Sequence, residues 1–399
     1  MTGTTENRLT TSWGDYGLTR FPEDPRDQLR AWDASDEYLL RHLVGGTGEV
    51  PAVDVSQCNV TVFGDRWGAL ATALAGRAAS LTQITDSYLG RRATEANLAR
   101  AGVPEDGVRL LTTQDEPPAR IDVLLVRVPK SLALLEDQLC RLAPSLHADS
   151  VVVGTGMVKE IHTSTLDLFE RIIGPTRTSL AEKKARLIFA TPEPREKPER
   201  SPWPLVYTLG PEAGAGPAEG LTVTNHAGVF CADRLDIGTR FLLAHLPPWR
   251  GPGTIVDLGC GNGVVGTALA KGSPEADVIF TDESYQAVAS AEATYRENIG
   301  PGALGIPRFL VGDGIADLPA NSVDAVLNNP PFHSHQSLTD ATAWRMFSGS
   351  RRALRKGGEL WVIGNRHLGY HLKLRRLFGN CELVASDAKF VVLRAVKTR

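Results

Sequence analysis

The chain has 399 residues and a net charge of −3, with 42% hydrophobic and 22% charged residues; that length suits two cores better than one, and the balance is that of an ordinary globular protein. Without an uninterrupted apolar run of about 18 residues a membrane span is not expected, and residues 1–11 lack the apolar core of a secretory signal, so the expected location is the cytoplasm. The five cysteines, Cys58, Cys140, Cys231, Cys260 and Cys381, are scattered and form no C-x-x-C pair, which speaks against zinc and disulfide frameworks and leaves no metal expected.

In chain order, the first strand-like run is Val60-Thr61-Val62-Phe63, followed by Gly64 and a helical stretch ending Thr72-Ala73-Leu74-Ala75. Ile84-Thr85-Asp86-Ser87 and Ile121-Asp122-Val123-Leu124-Leu125 continue the alternation. Residues 191–204, TPEPREKPERSPWP, are dense in proline and charge, as an extended connector between two cores would be. They divide the chain into a domain of residues 1–190 and another of residues 205–399. Next, Leu205-Val206-Tyr207-Thr208-Leu209 and Leu221-Thr222-Val223 flank the Gly-rich stretch 210–220, a pattern that predicts a hairpin with a loose loop.

The second half repeats the first. Ile255-Val256-Asp257-Leu258-Gly259 lies over residues 60–64, and both helices that follow end Thr-Ala-Leu-Ala. Phe280-Thr281-Asp282-Glu283 matches Ile84 to Ser87, and Val323-Asp324-Ala325-Val326-Leu327 matches Ile121 to Leu125. Short apolar strands alternating with helices imply parallel sheets covered on both faces. The expected fold is α/β, with two doubly wound, Rossmann-like domains in tandem.

Within the second copy, Asp257-Leu258-Gly259-Cys260-Gly261-Asn262-Gly263 carries a strand through a Gly-rich turn into a helix. Gly259, Gly261 and Gly263 allow a sharp turn and a close ligand, because each lacks the Cβ that would collide with it. A dinucleotide would lay its pyrophosphate here and be repelled by Asp257, whereas S-adenosylmethionine carries a cationic amino group and a sulfonium. The acid therefore favours S-adenosylmethionine. Two more strands end in carboxylates: Asp282 is expected to accept from the ribose hydroxyls, and Asp313 from the adenine amino group.

The next strand leads into Asn328-Asn329-Pro330-Pro331-Phe332-His333, at the strand end where open α/β sheets bind ligands. An exocyclic amine on a base is a weak nucleophile because its lone pair is delocalised. The Asn329 amide oxygen and the Pro330 carbonyl can accept both N–H bonds and favour the pyramidal nitrogen of the transition state. Phe332 is expected to stack on the extruded base. Asn329, Pro330 and Phe332 are thus the candidate catalytic residues, with Asn329 also beside the cofactor. His333 and His335 lack a third ligand nearby, so a metal site there is not expected.

Since the overall charge is slightly negative, attraction to phosphate must come from local patches. Arg351, Arg352, Arg355, Lys356, Arg366, Lys373, Arg375, Arg376, Lys389, Arg394, Lys397 and Arg399 face only Glu359, Glu382 and Asp387 in the same stretch, a candidate nucleic-acid surface. Lys183, Lys184 and Arg186 form a smaller one.

With these motifs the chain resembles the bacterial ribosomal RNA guanine-N2 methyltransferases of the tandem-domain type, in particular the large-subunit (23S) branch. The likeness spans nearly the whole chain. It is carried by Ala31-Trp32 and Glu37-Tyr38-Leu39-Leu40, Ile161-His162-Thr163-Ser164-Thr165-Leu166 with Leu168-Phe169-Glu170, and Gly174-Pro175-Thr176. In the second half it rests on Asn225-His226-Ala227 with Val229-Phe230, Leu235-Asp236-Ile237-Gly238, the Gly-rich turn and Asn329-Pro330-Pro331-Phe332-His333. The resemblance implies class I methyltransferase domains, a degenerate N-terminal one that helps to hold RNA, and a C-terminal one that methylates guanine N2 in 23S rRNA. Methylation of 16S rRNA and N6-adenine methylation stay open as alternatives, and a monomer is expected. The degeneracy is visible in the internal alignment, which sets Val62 against Asp257, Arg66 against Gly261, and Arg127-Val128 against Asn329-Pro330. Asp86, retained beside this loss, is expected to cap a helix.

Overall fold

The structure, a computed structural model, describes residues 7–24, 27–193, 199–331 and 336–399; of residues 336–340 the backbone alone is described. It divides into two compact units, Met1–Pro202 and Trp203–Arg399.

Unit 1 opens with a two-stranded antiparallel ribbon, β1 (Arg8–Thr11) and β2 (Gly14–Gly17), and helix α1 (Ala34–Gly45). There follow β3 (Asn59–Phe63), α2 (Ala69–Leu74), β4 (Ser80–Thr85), α3 (Tyr88–Arg100), β5 (Arg109–Thr112), β6 (Ile121–Arg127), α4 (Leu132–Leu142), β7 (Leu146–Met157), α5 (Thr163–Ile172), β8 (Thr176–Thr178) and β9 (Ala185–Ala190). The seven strands β3 to β9 form one sheet in the order β5-β4-β3-β6-β7-β9-β8.

Unit 2 opens with the hairpin of β10 (Leu205–Thr208) and β11 (Thr222–Asn225), as their flanking Gly-rich loop predicts. Helix α6 (Ile237–Leu243) precedes β12 (Gly253–Leu258), α7 (Val264–Gly272), β13 (Ala276–Asp282), α8 (Tyr285–Asn298), β14 (Pro307–Val311), β15 (Val323–Asn328), α9 (Gln336–Ala353), β16 (Leu354–Asn365), α10 (Tyr370–Phe378), β17 (Glu382–Ser386) and β18 (Phe390–Val396). The sheet order, β14-β13-β12-β15-β16-β18-β17, is the same permutation as in unit 1. In each sheet one strand runs against all the others: β9 pairs antiparallel with both β7 and β8, and β18 with both β16 and β17, while the remaining pairs are parallel. The all-parallel expectation therefore fails at β9 and β18, each reached from the strand before it by a connection too short for the crossover that a parallel neighbour needs.

Both central strands read as near-continuous apolar runs because both faces are buried. Alternate residues serve opposite sides: Ile255, Val278 and Leu327 join one core, Val256, Ile279 and Val326 the other. A carboxylate clamp recurs at the foot of each sheet, Asp122 Oδ2 accepting from Asn59 N and Asp324 Oδ2 from Thr254 N, both at 2.8 Å. The repeat seen in the sequence is thus a repeat in topology, register and hydrogen bonding.

Candidate active site

In unit 2 the turn after β12 is tied to β13 by the Gly259 N–H, which donates to the Thr281 carbonyl at 2.8 Å. Gly259, Gly261 and Gly263 all have positive φ, +72°, +53° and +74°, a conformation that favours glycine. Their roles differ. A Cβ on Gly261 would project into open space, whereas one on Gly263 would lie 2.7 Å from Ala291 Cα. Gly263 is therefore required for the close packing of α7 on α8, a reason the sequence argument did not supply.

The three predicted acids sit at the ends of neighbouring strands. Asp257 is buried, and its Oδ2 accepts from Gly266 N at 2.8 Å in the first turn of α7. Burial, reinforced by the nearby charge of Asp282, pushes its carboxyl up to about 7. Asp282 accepts from Gly261 N at 3.0 Å and from Ser284 N at 3.1 Å, bracing the Gly turn against the start of α8, and burial raises its carboxyl too. Asp313, past the end of β14, is partly buried and pairs with Arg345 of α9 at 3.4 Å. Asp257 and Asp282 have no cation paired with them among the described residues, so this end of the sheet suits a ligand that carries positive charge and N–H or O–H donors.

At the end of β15, Asn328 is fully buried and its Nδ2 donates to the Leu258 carbonyl at 2.8 Å, joining β15 to the strand that enters the Gly turn. Asn329 Nδ2 donates to Thr239 Oγ1 at 3.0 Å. Among the described residues the Oδ1 atoms of both asparagines are buried without a hydrogen-bond partner, and a buried acceptor left so costs roughly 1–3 kcal/mol. Pro330 is buried and Pro331 exposed, while Phe332 and His333 to His335 lie outside the described residues.

The equivalent place in unit 1 is filled. Arg127 is completely buried and pairs with Asp33 at 2.8 Å, Glu160 at 3.1 Å and Asp36 at 3.5 Å. Arg66, at the position of Gly261, reaches Glu160 at 2.8 Å and Asp33 at 3.4 Å. Against the opposing effect of burial, Arg127 holds the carboxyls of Asp33 and Glu160 below their usual range, while burial pushes Asp36 up to about 6. Val62 stands where Asp257 would, yet a buried acid persists three positions on: Asp65 Oδ2 accepts from Ala71 N at 2.8 Å, and burial pushes its carboxyl up to about 7. The expectation that Asp86 caps a helix is corrected. Ser87 caps α3 by accepting from Gly90 N, and Asp86 accepts the Thr113 hydroxyl at 2.8 Å.

Among known proteins, the RLMG N-terminal domain family matches residues 6–194, and the methyltransferase small domain family matches residues 220–394. The ribosomal RNA large subunit methyltransferase G of Streptomyces avermitilis is 70% identical over 389 residues, covering 98% of this chain and 99% of that protein. The protein of the same name from Ectopseudomonas mendocina is 48% identical, with 98% and 99% covered. The chain belongs to this methyltransferase family. Among solved structures, the T. thermophilus 16S rRNA N2 G1207 methyltransferase RsmC, in complex with AdoMet and guanosine, covers 98% of this chain and 97% of its own at a TM-score of 0.70. At 19% identity it shows a shared fold of two tandem methyltransferase-like units.

For this methyltransferase the structure sorts the late cations. Arg355 pairs with Asp324 at 2.7 Å, Arg394 with Glu359 and with Glu382, the latter at 2.8 Å. Arg352 donates to the Ile315 and Ala316 carbonyls, Arg366 to that of Asp387, and Lys397 to that of Leu354. These bind the unit together. On α10, His371, Arg375 and Arg376 are exposed, and the Arg376 guanidinium lies 5.2 Å from the Trp344 ring of α9. Arg351, Lys356, Lys389 and Arg399 are exposed as well. Lys183 and Lys184 are exposed at a tight turn between β8 and β9, where both have positive φ.

Sequence reasoning assigned no role to Thr239 or to Asp236, whose Oδ2 accepts from Thr239 N at 2.8 Å and lies 3.3 Å from Thr239 Oγ1. The signal was present as an Asp three residues before a Thr at a helix start, an N-cap pattern. Nothing local linked it to Asn329, 90 residues away.

Proposed function

We propose that this chain transfers a methyl group from S-adenosylmethionine to the exocyclic N2 of a guanine in 23S rRNA, using residues 205–399 as the catalytic domain. Residues 1–190 form a degenerate copy that helps to hold RNA, joined through the linker of residues 191–204. The observation that carries this reading is the Oδ1 of Asn329 at the end of β15, buried and without a partner among the described residues, beside a glycine turn bordered by carboxylates.

When bound, S-adenosylmethionine supplies an electrophilic methyl group on a sulfonium. Asp257 meets its cationic part, Asp282 takes the ribose hydroxyls, Asp313 takes the adenine amino group, and Gly259, Gly261 and Gly263 shape the cradle. Asn329 Oδ1 and the Pro330 carbonyl accept the two amine hydrogens. They hold the nitrogen in the geometry in which its lone pair leaves the ring system, and this contact strengthens as positive charge develops on nitrogen. Phe332 stacks on the base. The exposed cations of α10, which lies against α9, contact phosphates. Among the described residues no helix is long and apolar enough to cross a membrane, and we take the protein to act as a cytoplasmic monomer.

The test offers deproteinised 23S rRNA, 16S rRNA, assembled large subunits and duplex DNA with labelled S-adenosylmethionine, followed by nucleoside analysis. N2-methylguanosine from 23S rRNA is expected. N6-methyladenosine, or label confined to 16S rRNA or DNA, would overturn the reading.

A further inference from the structure

The carboxamide of Asn329 has two ends that differ in hydrogen-bonding sense, and only one of them can serve an amine. Turned one way it presents Oδ1, an acceptor; turned the other it presents Nδ2, a donor suited to a ring carbonyl. What fixes the choice is the chain of contacts behind it. Asp236 is the N-cap of α6, and as a carboxylate it can only accept. The Thr239 hydroxyl, 3.3 Å from Asp236 Oδ2, therefore donates to it. With its proton committed there, Thr239 Oγ1 is left to accept, and Asn329 Nδ2 donates to it at 3.0 Å. Oδ1 is then the end left buried and, among the described residues, unpartnered. Turning the amide over would set Oδ1 against the Thr239 oxygen, losing one hydrogen bond and opposing two acceptors.

We infer that Asp236 and Thr239 are positioning residues for methyl transfer, locking the Asn329 carboxamide so that it offers an acceptor, and thereby selecting an exocyclic amine over a carbonyl on the target base. Unit 1 keeps the same linkage in altered chemistry. Its α1 is capped by Asp33, as α6 is by Asp236, and Asp36 occupies the position of Thr239, three residues after the cap. Arg127, in the place of Asn329, contacts both acids. The contact thus belongs to the repeated framework and was recharged in one copy.

The inference rests on the function proposed above, and the test separates the two. Full-length wild type, Thr239→Val and Thr239→Ser are compared for transfer to deproteinised 23S rRNA, for S-adenosylmethionine affinity by calorimetry, and for binding of guanosine against inosine, which lacks the 2-amino group, in the presence of S-adenosylhomocysteine. The valine variant, which keeps the shape and removes the hydroxyl, is expected to lose about 10- to 30-fold in kcat, one hydrogen bond's worth or slightly more. Its S-adenosylmethionine affinity should stay within about twofold, which also reports that it folds, and its preference for guanosine should fall by about tenfold. The serine variant should recover most of both. Unchanged kcat in the valine variant, an equal loss of S-adenosylmethionine affinity, or no recovery with serine would overturn the lock while leaving the function standing. Absence of transfer by the wild type would instead remove the function.

Discussion

Arg127 and Asn329 occupy the same place in two copies of one fold, at the ends of equivalent strands, and they have opposite consequences. In unit 1 the guanidinium draws three carboxylates around itself and fills the position from within. In unit 2 the smaller amide satisfies one side and leaves an acceptor over. Among the described residues, unit 2 has an Asn329 oxygen without a partner and two acids, Asp257 and Asp282, without a paired cation, whereas in unit 1 Arg127 and Arg66 pair with Asp33 and Glu160, and Arg127 with Asp36.

The largest expected effect comes from undoing the completion. Arg127→Ala leaves Asp33, Asp36 and Glu160 facing one another with only Arg66 nearby, and should cost unit 1 about 3–5 kcal/mol in denaturant unfolding. Calorimetric S-adenosylmethionine binding by unit 2 should be unaffected. A cost below about 1 kcal/mol would mean that the plug contributes little to unit 1. In the other copy, Asn329→Ala should lower kcat by about 10²–10³, with S-adenosylmethionine affinity nearly intact, because one preorganised partner of the reacting group is lost. Equal losses in both quantities would contradict the assignment.

Smaller effects sharpen the contrast. Replacing Arg375 and Arg376 by Glu should weaken rRNA binding and flatten its dependence on log salt by about 1.4–1.8, near 0.7–0.9 for each phosphate that is no longer neutralised. The same slope in variant and wild type would remove α10 from the RNA surface. Finally, both units retain a buried acid near 7 on the N-terminus of the helix after the first central strand, Asp65 and Asp257. Their folded-state values are raised above the ordinary value near 4. Each therefore contributes stability that is fully present below about pH 4 and is lost as pH rises through about 7, at no more than about 1.4 kcal/mol per pH unit. Asp65→Asn and Asp257→Asn should each flatten the pH dependence of its own unit between pH 4 and 7, read from thermal melts across that range.

The Gly turn, the strand-end acids and the asparagine-proline pair were legible in the sequence because each is a local pattern whose chemistry demands its spacing. The pairing of two similar domains followed from the repeat, but the strand order did not. What stayed hidden depends on distance. Thr239 meets Asn329 across 90 residues, and Asp324 neutralises Arg355 across 31, so no local window separates a structural cation from an exposed one. Asp65 stands in for Val62 three positions away, which an alignment scores as a loss although the hydrogen bond to the helix survives in Ala71. The antiparallel strands at the sheet edge were missed because their short connections carry no strong turn signature.

The self-contained ion cluster of unit 1 also sets how each half responds to supply of the methyl donor. A fold that binds a ligand only when native gains RT ln(1 + [L]/Kd), about 2.7 kcal/mol at a hundredfold excess over Kd. On the function proposed above, the half closed by Arg127 takes no share of that gain, and the half built around Asn329 takes all of it. Donor starvation should therefore soften the half built around Asn329 alone, making it the first to be cut by protease when S-adenosylmethionine is withdrawn.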